Sequence, residues 1–221
     1  MPFAANVFRH TPALRGLITP PDASEMRFGQ DRYDELDVQA AEEGWPPGWR
    51  MDHGKREENR QQVLAGRVSR DLWVFAYGSL IWRNNGRGSY ERPGLMAALD
   101  EGGHCDGVVF RIAPELVDQE TTFMWRREMF AGSYKPVFLT VGTPQGNVEA
   151  LVFVMDQTNH RYIPELAHDT AAQMIAHAEG NLGTNLAYLD SLARHLDELG
   201  LKDDNIHHLH ALTQAYRSAS A

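Results

Sequence analysis

Leu72-Trp73-Val74-Phe75-Ala76-Tyr77-Gly78-Ser79-Leu80-Ile81-Trp82 is the stretch on which the fold turns. Its first five residues are apolar or aromatic, several with a preference for extended backbone. They predict a buried strand that runs straight into a tight turn at Tyr77-Gly78-Ser79. Gly78 has no Cβ, so the backbone there can take conformations closed to other residues and can let a ligand approach its peptide N–H groups. A polar turn between Trp-rich flanks suggests a pocket floor with donors pointing into it. From composition alone, a strand that turns and continues is the simpler reading.

Downstream of this stretch, Arg83 to Tyr90 is polar and Gly-rich and reads as loop. Val108, Val109, Phe110 and Ile112 predict a strand over Cys105 to Ile112. Pro114 suits the first turn of a helix, where its missing N–H costs nothing, and Leu116, Val117, Phe123 and Met124 carry that helix to about Arg127. Tyr134 to Val141 and Val148 to Met155 flank a Gly and Pro loop and predict a β-hairpin. The last third is helical. Ala171, Met174, Ile175 and Ala178 share one face; Thr184 caps a second helix striped by Leu189, Leu192, Leu196 and Leu199 and stopped at Gly200. A third helix starts at Asp203 or Asp204. Strands clustered mid-chain with helices appended argue for an α+β fold.

Upstream, residues 1 to 70 are rich in charge, Pro and Gly, with short helices expected at Tyr33 to Glu43 and Arg56 to Leu64. Neither has a persuasive apolar stripe. The segment reads as an extension packed on a core spanning residues 71–221, with Trp45 and Trp49 as anchors; a partner-binding arm is the alternative. The 221 residues, 43% of them hydrophobic, suffice for a core without staples. With 30 acidic against 21 basic residues the net charge is −9, which argues against nucleic acid or an anionic membrane as partner. Cys105 is the sole cysteine, as suits a reducing compartment. The N-terminus shows neither the basic head nor the apolar run of a secretory leader, and no membrane span is visible, so a cytoplasmic protein is expected.

The signature Trp73-Val74-Phe75-Ala76-Tyr77-Gly78-Ser79-Leu80-Ile81-Trp82 closely resembles that of the ChaC-like γ-glutamylcyclotransferases. Ordered matches follow at Arg92-Pro93-Gly94-Leu95, Gly102 to Gly107, Arg126-Arg127-Glu128, Asn185 to Tyr188 and His195 to Gly200. The resemblance implies a small mixed β-barrel with flanking helices and a C-terminal helical segment. It also implies an enzyme that cyclises the γ-glutamyl group of glutathione to 5-oxoproline, releasing cysteinylglycine, with no cofactor and no metal. By the same implication Tyr77, Gly78, Ser79 and Leu80 hold the γ-glutamyl group and Glu128 is the acid/base. One departure is expected to matter. Family members carry a further barrel strand between the signature turn and Arg92-Pro93-Gly94, and here Asn84-Asn85-Gly86-Arg87-Gly88 follows Trp82 almost at once.

Residue by residue, the alternatives stay open. Arg126-Arg127-Glu128 by itself is a solvated charged cluster, and only the resemblance reverses that. Tyr77 is either a core aromatic or a substrate contact. Ser79 is read as a hydrogen-bonding residue, since its surroundings lack the second Gly of a hydrolase elbow. Arg127 either fixes Glu128, binds the glycine carboxylate of glutathione or makes an exposed ion pair. Tyr134 either closes the pocket or packs the strand. Cys105 reads as a buried strand-end residue, and His207, His208 and His210 as a solvated helix face rather than a metal site. The rival functions are a non-catalytic γ-glutamyl or peptide-binding module, and a cyclotransferase for other γ-glutamyl amines.

Overall fold

The computed structural model describes residues 7–16, 18, 23–24, 27, 29–42, 44, 46–77, 87–88, 92–164, 166–180 and 183–219. Gly78, Ser79 and Leu80, the polar part of the signature turn, lie outside them, as does Trp45. The chain divides into two compact units, Met1–Phe75 with Val109–Tyr162, and Ala76–Val108 with Ile163–Ala221.

But for their terminal residues Ala76 and Val108, strands β1 (Leu72–Ala76), β2 (Val108–Ile112), β3 (Tyr134–Thr143) and β4 (Gly146–Met155) belong to the first unit, in the sheet order β2-β1-β4-β3. The sheet is mixed: β1 runs parallel to β4, Trp73 opposite Ala150, and β3 runs antiparallel to β4 from Tyr134 opposite Met155 to Thr143 opposite Gly146. Strands with neighbours on both edges read as continuous apolar runs, and four of the five β1 residues are buried, as is the run from Ala150 to Phe153 in β4. The hairpin therefore forms where the sequence places it, extended by two residues on each side of the turn.

The expected barrel is not found among the described residues. Among the described residues the four strands form an open sheet with β2 and β3 at its edges, not a closed barrel. Closure demands a strand count, tilt and stagger that bring first and last strands together, and four strands in this order leave two edges apart. What holds is a mixed α+β fold.

Among the described residues the first unit also holds three α-helices, α1 (Gln30–Glu42), α2 (His53–Val63) and α3 (Pro114–Glu128). The Pro114 start is as the sequence predicts, but of the expected stripe only Val117 lies on the buried face of α3. Val117, Thr121, Trp125 and Glu128 are buried, at spacings of one helical turn, while Leu116 is 44% exposed. Trp125 meets the Phe153 ring edge-on at 5.1 Å and donates its Nε1–H to Asn59 Oδ1 at 2.8 Å.

The second unit holds α4 (His168–His177), α5 (Asn185–Glu198) and α6 (Asp204–Ala219), with a two-residue ladder between Glu179–Gly180 and Gly183–Thr184. Caps fix the boundaries. The Thr184 hydroxyl accepts from Ala187 N at 3.2 Å, Gly200 takes the left-handed φ of 67° that ends α5, and Asp203 Oδ1 accepts from Ile206 N at 3.0 Å. Buried Asn185 bonds both backbone groups of Leu95, accepting from its N–H at 2.6 Å and donating to its carbonyl at 2.8 Å. That bond pair seats the Arg92-Pro93-Gly94-Leu95 stretch so closely that a Cβ on Gly94 would lie 2.4 Å from the Arg87 carbonyl oxygen. No helix among the described residues is long and apolar enough to cross a membrane.

Candidate active site

Glu128 is the last residue of α3, on the helix face that is otherwise packed into the first unit, and is only 6% exposed. The chain then turns through Gly132, whose φ of 65° is left-handed, and enters β3 at Tyr134. A Cβ on Gly132 would come within 3.0 Å of the Met51 methyl, so this turn is both strained for other residues and tightly covered.

Burial pushes the Glu128 carboxyl up from its ordinary range, and the neighbouring Arg127 charge opposes this only in part. Arg127 Nε stands 2.8 Å from Glu128 Oε1, an ion pair by distance. The alignment is too poor for a hydrogen bond: Oε1 is buried with no hydrogen-bond partner among the described residues, and so is Arg127 Nη2. The distance establishes charge proximity, and the angular failure leaves both atoms with unused bonding capacity. An exposed ion-pairing role for Arg127 is corrected, since its side chain is 19% exposed and turned to a buried carboxyl. Such a pair can hold a carboxyl in place, accept a proton at Oε1 and offer a donor to an anionic group.

Tyr134 is half-buried at the start of β3, opposite Met155, in the same unit as Glu128 and Arg127. Tyr77 belongs to the second unit. It is 9% exposed, and its hydroxyl donates to Asp203 Oδ2 at 2.6 Å. The carboxylate that caps α6 thus also holds the first residue of the signature turn. Burial, then the Asp203 bond, raises the Tyr77 phenol further above its usual value, so it stays protonated and donating. Sequence reasoning missed Asp203 as a partner of Tyr77; its only visible signal was its fitness as a helix cap. Tyr77→Phe is expected to cost about 1 to 2 kcal/mol, a hydrogen bond to a partly solvated charged group, read as a lower urea midpoint with an unchanged slope.

Cys105 is half-buried in the loop before β2, not in a strand, and burial beside Asp203 and Asp106 pushes its thiol up to about 12. It is therefore no thiolate nucleophile near neutrality. His207 and His210 pair through Nε2 with Asp197 at 3.0 Å and Asp190 at 2.6 Å, joining α6 to α5. Among the described residues no group of His, Cys, Asp and Glu has the arrangement of a metal site.

The chain belongs to the ChaC-like protein family, whose profile matches residues 83–218. It is 36% identical over 163 residues to the glutathione-specific γ-glutamylcyclotransferase of Escherichia coli K12, covering 62% of this chain and 71% of that one. It is 31% identical over 162 residues to glutathione-specific γ-glutamylcyclotransferase 1 of Danio rerio, covering 60% and 82%. A crystal structure of the yeast γ-glutamyl cyclotransferase specific to glutathione superposes with a TM-score of 0.55 at 17% identity, covering 68% of this chain and 98% of that one. That likeness shows a shared mixed α+β fold.

Proposed function

We propose that this protein is a γ-glutamylcyclotransferase that acts on glutathione, with Glu128 as its acid/base. Membership of the ChaC-like family and the names of its relatives support the reaction. The observation that carries the residue assignment is the buried carboxyl of Glu128, pushed up by burial, beside the Arg127 guanidinium and with no hydrogen-bond partner on Oε1 among the described residues.

The reaction is internal. The α-amine of the γ-glutamyl group adds to its own γ-carbonyl, a C–N bond closes the five-membered lactam, and the C–N bond to cysteine breaks. Because nucleophile and electrophile are tethered, holding the folded glutamyl unit does most of the work; well-oriented intramolecular reactions reach effective molarities of roughly 10⁵ to 10⁸ M. The remaining need is a proton: the α-ammonium must lose one and the departing amine must gain one. Glu128 takes it from the first and returns it to the second. A carboxyl raised toward neutrality is a stronger base in the first step and still a competent acid in the second.

In this reading Arg127 restrains Glu128 and turns Nη2 toward the substrate's glycine carboxylate, while Tyr134 borders the pocket. The turn Tyr77-Gly78-Ser79-Leu80 holds the γ-glutamyl group, with its backbone N–H groups donating to the developing oxyanion. Residues 1–70 form an extension on a catalytic domain of residues 71–221, and the strand that the family pattern carries after Trp82 is either lost from the polypeptide or left out of its sequence as given. The chemistry is that of a cytoplasmic enzyme with a small-molecule substrate.

The test is to incubate the purified protein with glutathione and quantify 5-oxoproline and cysteinylglycine. Equal amounts of both, with γ-glutamyl dipeptides turned over more slowly, are expected. Binding of glutathione without either product would overturn the proposal in favour of a binding module, and faster turnover of other γ-glutamyl amines would overturn the substrate assignment.

A further inference from the structure

An α-helix ends with carbonyls that have no partner within it, and unless something else binds them the last turn frays. In α3 this last turn carries Glu128, and one of its carbonyls, with one just past the helix end, is bound by residues far earlier in the chain. The Tyr33 hydroxyl donates to the Arg126 carbonyl at 2.5 Å, and Met51 N–H donates to the Phe130 carbonyl at 2.8 Å. The two bonds bracket Glu128. Tyr33 is 0% exposed, its ring 5.8 Å from that of Phe130, which Trp49 meets edge-on at 5.3 Å. One turn back, Asn59 holds Trp125 Nε1, and buried Arg60 donates to Thr121 Oγ1 and Asp118 Oδ1, each at 2.9 Å. All these partners precede residue 83, where the family match begins.

We propose that the segment from α1 through α2 is a clamp that sets the position of Glu128, with Tyr33 and the Met51 backbone as its positioning groups. The inference rests on the acid/base reading of Glu128. A carboxyl that must reach two nitrogens in turn tolerates little displacement, since an error of about 1 Å can cost on the order of 10²-fold in rate. The ion pair with Arg127 cannot supply this precision alone, because both residues ride on the same helical turn. An anchor from outside the helix is needed, and the early segment provides two.

Tyr33→Phe tests the clamp in the full-length protein, because it keeps the buried ring and removes only the donor to the Arg126 carbonyl. The expected result is a fall in kcat of about tenfold, with KM for glutathione within about twofold and a displaced acid limb in the pH–rate profile. A purely structural role would lower Tm and leave kcat and the pH profile of the folded fraction at their wild-type values, which would overturn the proposal. If Tyr33→Phe folds poorly, Asn59→Ser, which withdraws the acceptor from Trp125 Nε1, is read by the same kcat and pH criteria. Glu128→Gln separates the two claims. Turnover that survives it overturns the acid/base reading and the clamp together; loss of turnover there with no kcat or pH change in the clamp variants overturns the clamp alone.

Discussion

Glu128→Gln is expected to lower glutathione turnover by about 10²- to 10⁴-fold, the usual worth of a positioned proton carrier. KM should change little, since Gln fills the same volume and the substrate is held mainly by other groups. Stability is the second readout, and its sign is set by the raised carboxyl. In the folded protein Glu128 holds its proton more tightly than in the unfolded chain, so the folded state binds more protons across the window above the ordinary glutamate range. Stability therefore falls as pH rises through that window, until the folded-state value is passed. Gln has nothing to ionise, so the variant should match the wild type at low pH and exceed it above the window. Thermal melts across pH check this against the kinetic loss: a variant that loses turnover while gaining stability at neutral pH has lost a proton carrier, not its fold.

Trp125→Ala is expected to remove about 3 to 5 kcal/mol, the range for truncating a large buried aromatic. Trp125 is 1% exposed, packs edge-on to Phe153 and satisfies Asn59, so truncation opens a cavity between helix and sheet and orphans a half-buried amide. Against a total stability of roughly 5 to 15 kcal/mol this is a large fraction of the folding free energy. Trp125→Phe keeps the ring contact and loses the hydrogen bond, for about 1 to 2 kcal/mol. Urea titration of both variants separates packing from the bond to Asn59.

Much of the fold was legible because local chemistry marks it. The hairpin, the start of α3 at Pro114, the limits of α5 and the start of α6 rest on turn residues and caps that act within a few positions of themselves. The packing of α2 was not legible, because its buried residues are Arg56 and Arg60. Apolar periodicity cannot register a guanidinium buried through its hydrogen bonds and its place over a ring, as Arg56 lies 4.8 Å from the Tyr33 centroid. The barrel came from resemblance, and the described strands form an open sheet.

Glu128 shows the limit from the other side. Its charge made Arg126-Arg127-Glu128 look solvated, and of the residues chosen for the α3 stripe only Val117 lies on the buried face. The spacing Val117, Thr121, Trp125, Glu128 was present all along, and an ionisable residue completing a buried stripe is the signal that would have singled it out. The tether of Tyr77 to Asp203 had no such signal, since 126 positions separate the two.

A crystal structure of the Glu128→Gln protein with glutathione bound tests the central claim most directly. The account predicts the side chain at position 128 within about 3.2 Å of the substrate's α-nitrogen, or one water away, with the γ-carbonyl carbon folded back toward that nitrogen. A glutathione whose α-nitrogen lies beyond the reach of a single bridging water from position 128, its γ-glutamyl chain extended, would contradict it.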